Sequence, residues 1–480
     1  MDRSVEVSDQ QQAGSRLRLV LAVLCAADFL VVLDGLVVAV ALPAMQQALA
    51  ISVGSLQWVI TTYALCFGGL LLLSGRLGDL YGRRRVLVVG LLLFAAGSLL
   101  AGLAWMPLAL FGGRALQGIG AAAMTPTALS LLTVAFSDPA ARARAYGVWS
   151  AVSSAGIPAG ALLGGVLTAT AGWRWVLLVN VPAALVAAAV TRAVVDESAP
   201  AERPPGLDWA GAVLVTAGLA AVIAGITQAE HAHTAGALLG RVLTPVVLGL
   251  MLLSAFVVVE RRTSAPLVPL DQLRAPGLLS VNLVGLVLPV GLGTGLFLGT
   301  LYLQLVVGLN PLYTGLAYLA LALPCIIASP LASRLTLRLG RRATATAGLL
   351  LQAAGLLLLA RVTATTGNLA NVLPGFVLIG LGAPTAFVPT TATAMDSPNG
   401  DTGLASGLFN TSQQLGNALA LAAIATLAAT WTPHPASASA SHPAAGYAAG
   451  FLLAAGITLA ALIPAVRLSM ATAAREPSTA

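Results

Sequence analysis

Apolar runs of about 20 residues follow one another almost from end to end of this 480-residue chain, separated only by short clusters of Arg, Pro and Gly. A hydrocarbon layer of about 30 Å is crossed by a helix of about 20 such residues, so a chain of this pattern folds in lipid. Only 9% of its residues are charged, far below the roughly one quarter of a soluble domain, and its mean hydropathy is +0.92. Windows of this kind predict spans near 18–43, 56–74, 86–105, 107–131, 146–170, 176–194, 209–228, 242–259, 278–305, 315–333, 344–361, 370–394, 404–430 and 447–466, fourteen in all. The division between 86–105 and 107–131 rests on Trp105, Met106 and Pro107. The apolar run 19–43 is too long for the core of a signal peptide and has no small-residue cleavage site, so it reads as an uncleaved first span.

All 24 basic residues are Arg; Lys is absent. There is therefore no Walker A lysine for ATP, no lysine Schiff base for retinal or pyridoxal phosphate and no lysine base, and no cofactor is expected. Basic residues accumulate in cytoplasmic loops. With the amino terminus inside and fourteen spans, every arginine except Arg114, Arg174, Arg241 and Arg361 falls on the cytoplasmic side. One helix more or fewer would invert half of that pattern, so both termini are expected in the cytoplasm. The net charge of +7 and pI near 9.9 thus report orientation, and no nucleic-acid partner is expected. His231, His233, His434 and His442 all fall in outside loops, which leaves no intramembrane histidine relay and no expected metal site. Cys25, Cys66 and Cys325 lie inside apolar runs and read as buried thiols rather than a disulfide framework.

The chain repeats itself. The segment 75–85, GRLGDLYGRRR, recurs as SRLTLRLGRRA at 333–343 with Arg, Leu, Gly and the Arg-Arg pair in register. Equivalent loops after the second and tenth spans imply six helices, two inserted helices and six more, as parallel repeats about an axis normal to the membrane. The expected units are a cytoplasmic tail 1–17, a first six-helix bundle 18–195, a Pro-rich and charged linker 196–208, the inserted pair 209–275, a second bundle 276–467 and a tail 468–480.

Several residues stand out against this apolar background. Asp34, with Leu33 and Gly35 beside it and Ala41-Leu42-Pro43 following, is a carboxylate deep in the first span. Low dielectric disfavours its charged form, so it can exchange a proton near neutral pH or pair with a cation. Asp28 lies six residues earlier, about 9 Å along the helix and some 120° around it, and reads either as a second proton or substrate site or as a hydrogen bond to a neighbouring helix. Arg114 opens the sequence RALQG in the fourth span; an arginine there costs about 2.5–3.5 kcal/mol to insert, so it faces the bundle interior with a partner or snorkels to the outer surface near Pro107. Span five carries Gly147, Gly156, Gly160, Gly164 and Gly165, small residues that let helix backbones approach closely or, more simply, pack one helix.

These sequences resemble the fourteen-helix drug:proton antiporter family of the major facilitator superfamily, from about Leu33 to the end of span thirteen. The loop 75–85 resembles the superfamily's cytoplasmic signature, in which Gly75, Asp79, Gly82, Arg83 and Arg84 would form a latch on helix ends or on charges of the other bundle. RALQG resembles a motif to which the family gives a role in proton coupling, and the span-five glycines resemble the antiporter motif, except that Ala161 stands where that motif has Pro. The first span resembles the family signature with Leu36 and Ala39 in place of its Thr and Asn. Trp173-Arg174-Trp175 with Asn180-Val181-Pro182, Tyr302-Leu303-Gln304 with Gly308, and 405–416 are further family marks without assigned chemistry.

The resemblance implies a major facilitator fold and a proton-driven exporter of lipophilic, in part cationic, drugs or antibiotics across the plasma membrane. Asp34 and Arg114 would couple the proton, while Asp28, Gln117, Asn410 and Gln413 are candidates for substrate contact or a second proton. Its partners would be a small-molecule substrate, protons and the bilayer, and the carrier would be a monomer driven by the proton gradient. The alternatives are a carrier of the same superfamily for an endogenous metabolite, against which the glycine motif argues, and a membrane receptor or enzyme, for which no catalytic constellation exists.

Overall fold

The computed structural model describes residues 3–136, 138–197, 208–231, 235–263, 266, 277–363, 369–395, 402–431, 445–466 and 468. The linker residues 198–207, the tail 469–480 and His233, His434 and His442 lie outside the described residues, as does the side chain of Asp79. Among the described residues the chain is helical, with α1 (Arg3–Leu49), α2 (Trp58–Tyr81), α3 (Arg83–Gly102), α4 (Pro107–Ala135), α5 (Pro139–Thr170), α6 (Trp173–Val194) and α7 (Trp209–Thr227). There follow α8 (Leu238–Arg262), α9 (Leu278–Val306), α10 (Pro311–Leu339), α11 (Arg341–Thr363), α12 (Leu369–Met395), α13 (Thr402–Trp431) and α14 (Ala445–Ala465). Twelve helices among the described residues are long and apolar enough to cross a membrane, and α2 and α13 run through the other expected spans, 56–74 and 404–430. The expected break between the third and fourth spans falls at residues 103–106, where Met106 is extended and Pro107 opens α4 with a ring already set to helical φ. The segment read as a tail before residue 18 continues α1 back to Arg3.

The repeat is visible in backbone geometry. Gly82 joins α2 to α3 at φ +94°, and Gly340 joins α10 to α11 at φ +83°, so both turns use the left-handed conformation that side chains resist. The long helices pack both on the next helix, as α3 on α4 and α11 on α12, and on helices further along the chain, as α2 on α4, α1 on α5, α10 on α12 and α9 on α13. The pair α7 and α8 pack on each other; α7 also touches α2 and α13, while α8 buries only Gly249 and Glu260 and leaves its other face open, as a lipid-facing helix would.

The buried apolar residues divide unevenly along the molecule. At the end bearing Arg83, Arg84, Arg341 and Arg342, two separate cores form, one around Leu24, Phe67, Phe94 and Met124, the other around Val284, Leu349, Ala386 and Phe409. At the opposite end a single core joins α1 and its neighbours to α9–α14 through Val37, Leu42, Phe297, Tyr302, Tyr318 and Phe376. The contact there is intimate: Gln304 Nε2 donates to the Val40 carbonyl at 2.8 Å, and a Cβ at Gly165 would lie 2.8 Å from the Pro311 carbonyl oxygen. The buried apolar side chains thus form one shared core at one end and separate cores at the other, and α2 also meets α13 where the Thr411 hydroxyl donates to the Gly68 carbonyl.

Gly82 and Gly340 make a controlled comparison. A Cβ at Gly82 would overlap the Glu197 carboxylate, whereas a Cβ at Gly340 would meet nothing within 4 Å. Gly340→Ala is expected to cost about 1–2 kcal/mol of backbone strain, and Gly82→Ala more than this, read as the larger fall in melting temperature of the purified protein.

Candidate functional site

Three local features bring charged and polar groups together inside the apolar interior. The first is the close approach of α3 and α4: a Cβ at Gly97 would lie 2.5 Å from the Gln117 backbone nitrogen, so only glycine lets Ser98 sit beside Gln117. The second is Gly118 on α4, packed against the Tyr63 carbonyl of α2. The third is a break in α6 at Val179, where Pro182 has no N–H to offer the Leu178 carbonyl. The second segment of α6 begins at Asn180 and turns its side chain inward.

Asp34 is fully buried, and Arg114 is 1% exposed. They form an ion pair between Arg114 Nη1 and Asp34 Oδ2. Asp34 Oδ1 accepts two more hydrogen bonds, from Asn180 Nδ2 at 2.8 Å and Gln117 Nε2 at 3.0 Å. Gln117 Nε2 also donates to Ser98 Oγ at 2.7 Å, while its Oε1 accepts from Arg114 Nη1 at 2.9 Å. Arg114 Nε donates to the Val59 carbonyl at 2.8 Å, and its guanidinium stands 4.5 Å from the centre of the Tyr63 ring. Taking two ions out of water costs several kcal/mol each, and only full pairing with extra hydrogen bonds offsets that. Here the carboxylate has three donors and the guanidinium has a counterion, a carbonyl, an amide and an aromatic face. Snorkelling of Arg114 to the outer surface is therefore not what the side chain does.

Asp28 lies apart from this cluster. It is 8% exposed and accepts a hydrogen bond from Ser153 Oγ on α5. Gly35, one residue beyond Asp34, is exposed with nothing within 4 Å of its Cβ position, so open space reaches the helix face next to the cluster. Asn410 and Gln413 are half-buried on α13 and make none of the cluster's contacts. Gln117, a candidate for substrate contact, is instead fully buried between Asp34, Arg114 and Ser98.

The glycines of α5 face two ways. Gly156, Gly160 and Gly164 lie against α1, where added Cβ atoms would come within 2.8–2.9 Å of Val32, Leu36 and Val37. Gly165 faces Pro311 and Leu312 at the start of α10, and Ala161 packs against Gly315 of the same helix; Gly147 meets nothing. In the signature loop, Gly75 lies 3.9 Å from Pro126 by its Cβ position. Arg83 opens α3, and Arg84 reaches across to the foot of α6: its backbone N–H donates to Glu197 Oε1 at 3.2 Å and Nη1 to the Val195 carbonyl at 3.3 Å. Arg84 and Arg85 both lie 3.4 Å from Glu197 Oε2.

Sequence reasoning placed Asp34, Arg114 and Gln117 in the interior without their partners. Asn180, Ser98, Tyr63 and Ser153 were missed as site residues. Asn180 carried one signal, an amide two residues before Pro182 in an apolar run; Glu197 carried only its place at the end of a span.

Residues 24–421 and 283–479 match the family model of the Major Facilitator Superfamily. The puromycin resistance protein pur8 of Streptomyces alboniger is 41% identical over 460 residues, covering 92% of this chain and 88% of that protein. The cephamycin export protein CmcT of Amycolatopsis lactamdurans is 38% identical over 428 residues, covering 88% and 87%. In fold, the crystal structure of a bacterial homolog of the human lysosomal transporter Spinster, inward-facing and occupied, gives a TM-score of 0.68 at 16% identity, over 96% of this chain and 98% of that one.

Removing one member of the buried pair leaves the other charge without a counterion. Asp34→Asn or Arg114→Leu alone is expected to cost about 3–5 kcal/mol, and the double variant Asp34→Asn/Arg114→Leu less than the sum of the two, as a double-mutant cycle on thermal unfolding in detergent would show.

Proposed function

The chain belongs to the major facilitator superfamily, and from that premise we propose that it is a proton-driven exporter of antibiotics or other lipophilic, in part cationic, drugs, working by alternating access across the plasma membrane. Export is supported by relatives named for puromycin resistance and cephamycin export, and by the glycine motif of α5. The observation that carries the mechanism is the fully buried pair Asp34–Arg114 with its shell of amide donors.

In this reading fourteen helices form two six-helix bundles, 18–195 and 276–467, with the pair 209–275 inserted between them, the linker 196–208 and tails 1–17 and 468–480. Both termini are cytoplasmic, the protein is a monomer in the bilayer, and it uses no cofactor. The end where the cores part is the arginine-rich, cytoplasmic one, so the chain stands inward-facing. With Asp34 ionised and paired, this is the state that has released its proton inward and receives cargo from the cytoplasm. As the bundles rock, the seal of α5 on α10 opens and the cargo leaves outward. A proton from outside then neutralises Asp34. Arg114 loses its counterion and keeps the Val59 carbonyl, Gln117 and the Tyr63 face, so α1 and α4 are no longer held by charge and the carrier can return.

Asp28, near the open end and shared with Ser153, is the cation-recognition or second proton site, with Asn410 and Gln413 as polar contacts from α13. The loop of Gly75, Asp79, Gly82, Arg83 and Arg84 is the latch, and Arg84 fastens it to Glu197 within the first bundle.

In proteoliposomes with ethidium as the probe cation, Asp34→Asn is expected to reduce substrate-driven proton movement to the level of empty liposomes; unchanged coupling would refute the assignment. Asp28→Asn is expected to weaken ethidium transport about tenfold, the worth of one charged contact, while sparing an uncharged probe such as chloramphenicol.

A further inference from the structure

Building on the proton-carrying role proposed for Asp34, we infer that Asn180 is the positioning residue that serves this carboxyl in both protonation states, its amide turning from donor to acceptor as the proton arrives. In the structure every hydrogen bond to Asp34 comes from a donor: Arg114 Nη1, Gln117 Nε2 and Asn180 Nδ2. Such a shell fits a carboxylate and conflicts with a carboxylic acid, whose O–H needs an acceptor. The neighbouring acceptors are already engaged: Gln117 Oε1 by Arg114 and Ser98 Oγ by Gln117. Asn180 Oδ1 is different. It is fully buried and has no partner, on the same amide whose nitrogen already touches Asp34. A half-turn of that amide about its Cβ–Cγ bond exchanges donor for acceptor at the carboxyl without moving the backbone.

The position suits the task. Asn180 stands at the break of α6, the first residue of the segment that Pro182 sets off from Trp173–Leu178, so its side chain is aimed by a fixed feature of the chain. The charged and titratable groups around Asp34 are Arg114 from α4, Tyr63 from α2 and Asp28 on α1 itself. From α3 the cluster receives only Ser98, and α5 meets α1 with its glycines and with Ser153, which bonds Asp28. The Tyr63 hydroxyl is also buried without a partner, but its ring is held beneath Arg114 and no hydrogen bond links it to Asp34. Asn180 alone among the described residues contacts Asp34 and holds an unused acceptor on the contacting group.

An infrared titration of the full chain in lipid nanodiscs tests this without a transported ligand. The C=O band of the protonated Asp34 is assigned as the one that Asp34→Asn removes, which separates it from Asp28. Asn180→Val and Asn180→Thr have the same shape and differ in a hydroxyl that both donates and accepts. In Asn180→Val the pH midpoint of the Asp34 band is expected to rise by about one unit, a tenfold change, because the charge-assisted bond lost from the carboxylate is stronger than the neutral one lost from the acid. The band itself is expected at the higher frequency of an acid without a hydrogen bond, and Asn180→Thr to restore at least half of both shifts. Asn180→Ala and Asn180→Ser form the same comparison if the branched pair does not fold. A midpoint and band in Asn180→Val equal to those of the unmodified protein, or a midpoint moved to lower pH, would overturn the role of Asn180 alone. If no titrating band disappears in Asp34→Asn, the reading of Asp34 itself fails.

Discussion

An arginine and an aspartate buried together in a lipid-embedded core are the constraint around which the first half of this molecule is arranged. Neither ion tolerates the interior alone, and the pair tolerates it only with every remaining donor and acceptor engaged. The partners come from five helices: Asp34 from α1, Val59 and Tyr63 from α2, Ser98 from α3, Arg114 and Gln117 from α4, and Asn180 from α6. Glycines at the crossings, Gly97 between α3 and α4 and Gly118 between α4 and α2, let the backbones come near enough for those bonds to be made. The polar cluster and the small-residue packing are two sides of one requirement.

Among its described residues the second half shows no buried ion pair of this kind. In the register set by the repeated loops, Arg114 corresponds to Val372, Asp34 to Leu292 and Asp79 to Leu337. Val372 is buried in the apolar core that joins both halves at one end. The left-handed turns at Gly82 and Gly340 are retained in both repeats, because they set the hairpins of the fold. Among the described residues the buried ion pair lies in one. The buried pair therefore lies on one side of the repeat against an apolar counterpart, and α5, packed on α1 by Gly156, Gly160 and Gly164 and on α10 by Gly165, lies between the two.

Much of this was legible in the residues. Windows of apolar sequence placed most helices to within a few residues, though α1 begins at Arg3 rather than near residue 18, and Met106 and Pro107 marked the break between α3 and α4. The cost of an intramembrane arginine left Arg114 either an interior partner or a route to the outer surface, and Asp34 was already conspicuous. What sequence could not supply was the rest of the shell. Asn180 lies 146 residues from Asp34 along the chain, and Ser98 is one hydroxyl among many in apolar spans. Of the two expectations for the latch arginines, helix ends or charges of the other bundle, Arg84 takes the first: it bonds the Val195 carbonyl at the end of α6 and pairs with Glu197 beside it.

By itself the sequence determined that the chain lives in lipid, roughly where its apolar spans lie, which loops carry the positive charge and which polar residues are too costly to be incidental. Those properties depend on composition over a window of about 20 residues, which is all that partition between water and hydrocarbon senses. Only the tertiary structure decided who neutralises whom, which face of α5 meets α1 and which meets α10, and at which end the two repeats share one apolar core. Each of these depends on the relative rotation and crossing of helices far apart in the chain, and a rotation of about 100° per residue makes a neighbour in space unrelated to a neighbour in sequence.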